Sequence, residues 1–141
     1  MSARLSHIGV LVHRVDAAAA LYQRLGLSGA AREMFPQENI RMAFVPVEDI
    51  RIELMEPLTG TGPLARFLAT RGEGIHHLAF EVPDIEQALA RARSAGVRLI
   101  DETPRIGAHD TRVAFIHPSA THGVLVELVE RAKDRATDES P

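Results

Sequence analysis

The feature that most constrains the fold of this chain is an internal duplication, because the sequence resembles itself after a shift of 70 residues. Without a gap, LSHIGVLVHRVDAAAALYQRLGL lies over IHHLAFEVPDIEQALARARSAGV, so that His7 aligns with His77. Farther on, RMAFVPVEDIRIELME lies over RVAFIHPSATHGVLVELVE when the second copy is given a few extra loop residues, and Glu53 then aligns with Glu127. Repetition at a fixed period indicates one structural unit built twice.

Each half is predicted to form a strand, a helix and three further strands. The predicted strands are short apolar or β-branched runs between turn residues: HIGVLV, SGAAREMF, IRMAFVPV and IRIELM in the first half, and HHLAFEV, VRLIDE, RVAFI and GVLVELV in the second. The predicted helices carry apolar residues at helical spacing: Ala18, Leu21, Tyr22 and Leu25 in the first, and Ile85, Ala88, Leu89 and Ala92 in the second. We therefore expect an α+β fold in which two βαβββ modules form a curved, barrel-like mixed sheet with the helices outside.

The predicted modules span about 4–58 and 74–131, and Gly62 and Pro63 begin a predicted linker helix over 62–71. With 141 residues, of which 45% are hydrophobic, the chain has the size and apolar content of one globular domain, predicted over 1–131. Residues 132–141 are polar and lack a hydrophobic period, which predicts a flexible tail.

Charge and composition exclude several classes of function. Sixteen Lys and Arg residues against nineteen Asp and Glu give a formal charge of -3, and the basic residues are scattered, so neither nucleic acid nor a membrane is an expected partner. The lack of cysteine excludes disulfides and thiol chemistry. No apolar stretch approaches the ~20 residues that span a bilayer, and the first residues lack a signal-peptide pattern, so we expect a cytoplasmic protein.

Strand parity singles out four side chains that can bind a metal. In HHLAFEV, His77 points away from the face of the apolar residues, and His7 does the same in its own strand. Glu53 and Glu127 each stand between two apolar neighbours and face away from them. If the sheets of the two halves curve towards each other, the four side chains converge, and two imidazoles with two carboxylates suit a divalent first-row metal.

Each of these residues also has a plainer interpretation. A single His at a strand start is most often exposed or hydrogen-bonded, and an edge strand accommodates a Glu between apolar residues. Repetition of the His-Glu pair at matching positions favours the metal interpretation. His76 is the alternative to His77 as a ligand, and the remaining histidines match no partner and are assigned to loops: His13, His109, His117 and His122.

From His7 to Glu130 the chain resembles the vicinal-oxygen-chelate superfamily and, within it, the methylmalonyl-CoA epimerases. The general part of the resemblance is the His-Glu-His-Glu pattern on paired βαβββ modules, which glyoxalase I and ring-cleaving dioxygenases share. The narrower part is GEGIHHLAFEVPDIEQAL, RLIDETPRIGAH and HPSATHGVLVEL. The resemblance implies the vicinal oxygen chelate (glyoxalase-like) fold, a homodimer, and metal ligands at the same four positions: His7, Glu53, His77 and Glu127.

The implied reaction is epimerisation of (R)/(S)-methylmalonyl-CoA, or of a related 2-substituted malonyl-CoA, by α-proton abstraction through a metal-chelated enolate. The implied cofactor is one divalent cation per chain: cobalt, manganese, nickel, zinc or magnesium. Inversion requires an acid/base on each face of the α-carbon, and Glu127 is the first candidate.

The sequence departs from the epimerase pattern at three positions. Met42 stands where some members carry a Glu, so the second acid/base is unassigned, and the loop residues Glu33, Glu38 and His109 are open candidates. Ser119 replaces the Lys of an HPK motif, and Asp110 replaces a small residue, which bears on the acyl-CoA preference.

Two other functions are open alternatives. One is a glyoxalase I-like isomerase or another metal-dependent chelate enzyme, although a second carboxylate argues against the two-His, one-carboxylate iron site of dioxygenases. The other is a non-catalytic small-molecule-binding protein of the same fold, although such proteins typically lack the ligands.

Overall fold

The structure, a computed structural model, describes residues 3–27 and 31–132. The chain divides into two compact units. The first unit is His7–His76, and the second consists of Met1–Ser6 with His77–Pro141. Residues 28–30 of the predicted strand SGAAREMF lie outside the described residues, as does the predicted flexible tail beyond residue 132.

The described residues of the first unit form four strands in the order β2-β3-β4-β1. The strands are β1 (Arg4–Leu11, entering this unit at His7), β2 (Ala31–Phe35), β3 (Ile40–Val47) and β4 (Ile50–Pro57). β1 pairs with β4 in parallel, whereas β2-β3 and β3-β4 are antiparallel pairs. Helices α1 (Val15–Arg24) and α2 (Pro63–Arg71) also belong to this unit, and α2 occupies the segment where a helix was predicted over 62–71.

Helix α1 buries a different stripe from the predicted one. Val15 and Ala19 are fully buried, and Ala18 and Tyr22 pack beside them. Leu21 and Leu25, which the helical spacing assigned to the core, are 51% and 66% exposed, so that part of the prediction is wrong. The helix ends at Arg24 and leaves Leu25 as its C-cap.

The second unit repeats this arrangement with strands in the order β5-β8-β7-β6. The elements are β5 (Gly74–Glu81, entering this unit at His77), α3 (Ile85–Ser94), β6 (Arg105–Ile106), β7 (Thr111–Ile116) and β8 (Val126–Arg131). β5 and β8 are parallel, and β6-β7 and β7-β8 are antiparallel. Helix α3 buries Ile85 and Leu89 as predicted, and the Asp84 side chain caps it by accepting from the Gln87 N–H at 3.0 Å.

The prediction of a strand at VRLIDE is wrong, because the structure has no regular strand in this segment. In that segment Leu99 makes only an isolated bridge to Ile116, and the short strand β6 forms farther along, at Arg105–Ile106. The Asp101 carboxylate accepts the backbone N–H of Phe115 at 2.8 Å, a donor that a regular neighbouring strand would pair with a backbone carbonyl. The Asp101 side chain thus takes the place of a backbone carbonyl beside β7, where a paired strand was expected.

Both faces of the first unit's sheet are covered. On the face under α1, apolar strand residues such as Val12, Val45 and Leu54 form one cluster. On the other face Leu11, Met42 and Met55 form a second cluster, against which side chains of α2 pack: Leu64, Phe67 and Leu68. The face that carries His7 and Glu53 is therefore not a solvent-facing surface, although strand parity alone had placed it away from the core.

The described helices are short. The longest of them, α1 and α3, have 10 residues each, and no helix in residues 3–27 and 31–132 is long and apolar enough to cross a bilayer.

Candidate metal centre

The first His-Glu pair is set by the parallel register of β1 and β4. The register places Gly9 opposite Glu53 and His7 opposite Arg51, so all four lie on the same face of the sheet. His7 Nδ1 lies 3.3 Å from Glu53 Oε2, and the two residues are only 5% and 7% exposed. Gly9, the residue opposite Glu53, adds no side chain to this face.

The second pair repeats this geometry. β5 and β8 are also parallel, and their register places Ala79 opposite Glu127, again a small residue against the glutamate. His77, two residues before Ala79, brings Nε2 to 3.1 Å from Glu127 Oε2. His77 and Glu127 are 5% and 8% exposed. The repeat seen in the sequence is therefore a repeat of a buried imidazole–carboxylate pair.

A phenylalanine flanks each glutamate on its other side. In the antiparallel registers Phe44 is opposite Glu53, and Phe115 is opposite Glu127. The ring of His77 stands edge-on to that of Phe115, with centroids 5.9 Å apart. Each glutamate thus has a small residue opposite it on one neighbouring strand and a phenylalanine opposite it on the other.

Arg51 is a part of the first pair that our sequence reasoning missed. Its Nη2 lies 2.7 Å from Glu53 Oε2, the same oxygen that faces His7, and its guanidinium stands 6.0 Å from the centroid of the Phe44 ring. The available signal was its position two residues before Glu53 in the same strand, which puts both side chains on one face. The aligned position in the other half is Leu125.

The donor set fits a divalent cation. Burying a carboxylate is costly unless a partner compensates its charge, and here each carboxylate has an imidazole nitrogen within 3.3 Å. Imidazole nitrogen and carboxylate oxygen are ligands for zinc, cobalt, nickel and manganese, and a carboxylate-rich site also suits magnesium. Each unit therefore presents one nitrogen donor and one oxygen donor of the expected kind.

His76, the alternative to His77 as a ligand, packs against an aromatic ring. His76 has the opposite strand parity to His77 and packs its ring against Phe67, with the centroids 4.9 Å apart. The His77–Glu127 contact at 3.1 Å favours His77 as the ligand-competent residue of the two.

The three residues that depart from the epimerase pattern occupy different settings. Met42 is 6% exposed within the apolar cluster, directly opposite Met55, so it contributes no charged group. Ser119 lies in the short 3₁₀ turn Pro118–Ala120, with its hydroxyl 2.8 Å from His117 Nδ1. Asp110 lies in the β6-β7 turn with a φ of 58°.

Comparison with known proteins identifies relatives over most of the chain. Residues 6–115 match the Glyoxalase/Bleomycin resistance protein/Dioxygenase superfamily. The chain is 39% identical, over 131 residues, to the ethylmalonyl-CoA/methylmalonyl-CoA epimerase of Cereibacter sphaeroides; the match covers 91% of this chain and 98% of that protein.

Solved structures agree with this result. The crystal structure of methylmalonyl-CoA epimerase from Mycobacterium tuberculosis matches with a TM-score of 0.84 and 40% identity, covering 94% of this chain and 91% of that one. A methylmalonyl-CoA epimerase in complex with methylmalonyl-CoA and NH4+ matches with a TM-score of 0.83 and 33% identity, covering 94% of this chain and 96% of that one.

These matches confirm two predictions made from the sequence, the resemblance to methylmalonyl-CoA epimerases and the glyoxalase-like α+β fold. The chain belongs to the Glyoxalase/Bleomycin resistance protein/Dioxygenase superfamily.

Proposed function

We propose that this chain is an isomerase that epimerises methylmalonyl-CoA or a closely related 2-substituted malonyl-CoA. The observation that carries the proposal is the buried His-Glu pair, built in the same way in each unit, with N–O distances of 3.3 and 3.1 Å. Relatives named as epimerases of these acyl-CoAs, similar over nine-tenths of the chain, support the choice of substrate class.

We propose further that one divalent cation per chain is held by His7, Glu53, His77 and Glu127. Cobalt, manganese, nickel, zinc and magnesium all accept such donors. When bound, the cation would polarise the carboxylate and thioester oxygens of a malonyl-type substrate and so acidify the C–H between them.

Glu127 is our candidate for one acid/base. Its carboxylate is buried, and its contact with His77 and the flanking Phe115 hold it on the face that carries the ligands. The second acid/base does not come from position 42, because Met42 has no ionisable group.

The reaction is tested by α-proton exchange. The protein is stripped with a chelator and reloaded with cobalt or magnesium, and deuterium incorporation at C2 of methylmalonyl-CoA is followed in D₂O, with succinyl-CoA as the unreactive control. Glu127→Gln should slow exchange by about 10²–10⁴-fold, as loss of a positioned acid/base does. Glu102→Gln, at an exposed glutamate that pairs with Arg93, should change it far less.

The opposite outcome identifies the main alternative. A protein that exchanges no α-proton on any malonyl-type thioester, but isomerises a glutathione hemithioacetal, would be a glyoxalase I-like isomerase.

The ligand assignment is tested by metal content. The wild-type chain should bind about one cation, and His77→Ala should lower its affinity, while His76→Ala serves as the matched control one residue away. Full occupancy in the His77 variant contradicts the assignment. Two cations in the wild type would mean that the pairs act as separate sites.

We also propose that the two modules form a single domain over 1–131 and that the chain forms a homodimer, which sedimentation at micromolar concentration would test. The cytoplasmic location stays a prediction from the sequence.

A further inference from the structure

A charged residue stands beside the first His-Glu pair. In the first unit, Arg51 Nη2 lies 2.7 Å from the same Glu53 oxygen that faces His7, so the guanidinium and the carboxylate form an ion pair. At the aligned position the second unit has Leu125, which carries no charge. The repeat therefore keeps the candidate ligands but not this arginine.

The surroundings of Arg51 leave it able to meet a ligand. Its side chain is 31% exposed, whereas that of Glu53 is 9% exposed, so the guanidinium spans from the buried carboxylate towards solvent. The Phe44 ring lies beside the guanidinium, with the centroid 6.0 Å from Cζ. A guanidinium has five N–H donors, and pairing with one carboxylate oxygen leaves several for a second acceptor.

Charge balance indicates what that second acceptor is. Two ionised glutamates neutralise a divalent cation, so a site of two histidines, two glutamates and the cation has no net charge. Arg51 adds one positive charge at its edge. A ligand that chelates through one carboxylate and one carbonyl brings one negative charge, which this residue balances.

We propose that Arg51 determines specificity at the site: it gives the metal-loaded site the positive charge that selects a carboxylate-bearing, malonyl-type ligand over an uncharged chelating carbonyl compound. The inference rests on the proposed function, because it assumes that Glu53 belongs to the metal site. Arg51 also orients Glu53, but that role alone predicts a different response to substitution.

The two roles predict opposite changes in cation affinity. If Arg51 mainly orients Glu53, its removal weakens binding of the cation and of every ligand. If its charge dominates, removal leaves cation binding equal or tighter, because a like charge beside the cation is lost, and weakens only anionic ligands.

The experiment compares Arg51→Gln and Arg51→Lys with wild type in the full-length chain. Mn²⁺ is titrated into the stripped protein by calorimetry. Malonamate, which has one carboxylate and one amide carbonyl, or uncharged malonamide is then titrated into the Mn²⁺-loaded protein and followed by the Mn²⁺ electron spin resonance. Arg41→Gln is the matched control, because Arg41 is a part-exposed arginine of the same unit, 4.0 Å from Glu56.

We expect Arg51→Gln to bind Mn²⁺ at least as tightly as wild type and to bind malonamate about tenfold more weakly, with malonamide unchanged, as for loss of one hydrogen bond to a charged group. Arg51→Lys should restore most of the malonamate affinity, and Arg41→Gln should match wild type. Equal losses for Mn²⁺, malonamate and malonamide in Arg51→Gln would overturn the proposal and leave Arg51 as an orienting residue only.

Measurements on the wild-type protein distinguish a failure of this inference from a failure of the proposed function. A wild type that binds no Mn²⁺ refutes the metal site and this inference with it. A wild type that binds Mn²⁺ and malonamate but exchanges no α-proton of methylmalonyl-CoA refutes the epimerase proposal, while the comparison of the variants still decides the role of Arg51.

Discussion

Replacing Glu130 with Ala should lower the free energy of unfolding by about 3 kcal/mol, because this side chain ties β8 to the start of α3. Glu130 is 1% exposed. Its Oε2 accepts the backbone N–H of Ile85 at 2.9 Å, and its two oxygens accept from Arg112 Nε at 3.0 Å and Nη2 at 3.2 Å. β8 also carries Glu127, so this anchor holds the strand that presents a candidate ligand.

The magnitude follows from those contacts. A side chain that accepts an amide at a helix N-terminus contributes about 1 kcal/mol. Removing one partner of a buried ion pair costs about 3–5 kcal/mol. Arg112 is 29% exposed, so solvent screens its charge and we reduce that part to about 2 kcal/mol.

The first unit offers a matched comparison in Glu56. Its Oε2 accepts the N–H of Val15 at 3.0 Å, which is the same helix-capping contact. Its arginine partner, Arg41, is 4.0 Å away and 40% exposed, so that ion pair adds almost nothing. Glu56→Ala should therefore cost about 1 kcal/mol, the value of the amide contact alone.

Urea unfolding followed by circular dichroism measures both variants against wild type. Glu130→Ala should lower the free energy of unfolding by about 2 kcal/mol more than Glu56→Ala does. An equal or larger effect of Glu56→Ala would show that burial and the Arg112 contacts do not set the magnitude.

Two further predictions concern a tight turn and a surface carboxyl. Gly107→Ala should destabilise the β6-β7 hairpin by about 1–3 kcal/mol, because the added Cβ would lie 2.6 Å from Thr111 Oγ1 and 2.8 Å from Val113 Cγ1. Gly60→Ala is the control, because a Cβ added at Gly60 meets nothing within 4 Å. Equal melting temperatures for the two variants would contradict the expectation. The hydrogen bond from Arg32 holds the pKa of Asp16 below its ordinary value. Any stabilisation from this pair is present at neutral pH and is lost as the pH falls through the lowered pKa, so Arg32→Gln should raise the pKa of Asp16 in a carboxyl NMR titration.

The sequence alone identified the elements that its own periodicity encodes. The repeat predicted the βαβββ order of each half, and it singled out a His and a Glu at matching positions in both. The structure places each pair in contact, His7 with Glu53 and His77 with Glu127. These features were predictable because strand parity is a local property: a residue's face is determined by its position in the strand.

Tertiary structure decided what covers each face and which groups meet across strands. Helical spacing alone did not distinguish the exposed Leu21 from the buried Ala19, because that choice depends on how closely the helix approaches the sheet. The segment VRLIDE has a strand-like composition, but the Asp101 carboxylate takes the N–H that a strand would pair. Arg51 reaches Glu53 through the rotamers of two long side chains, which no spacing rule specifies. Local pattern determines which residues share a face, whereas packing and register determine their partners, and these depend on residues far away in the sequence.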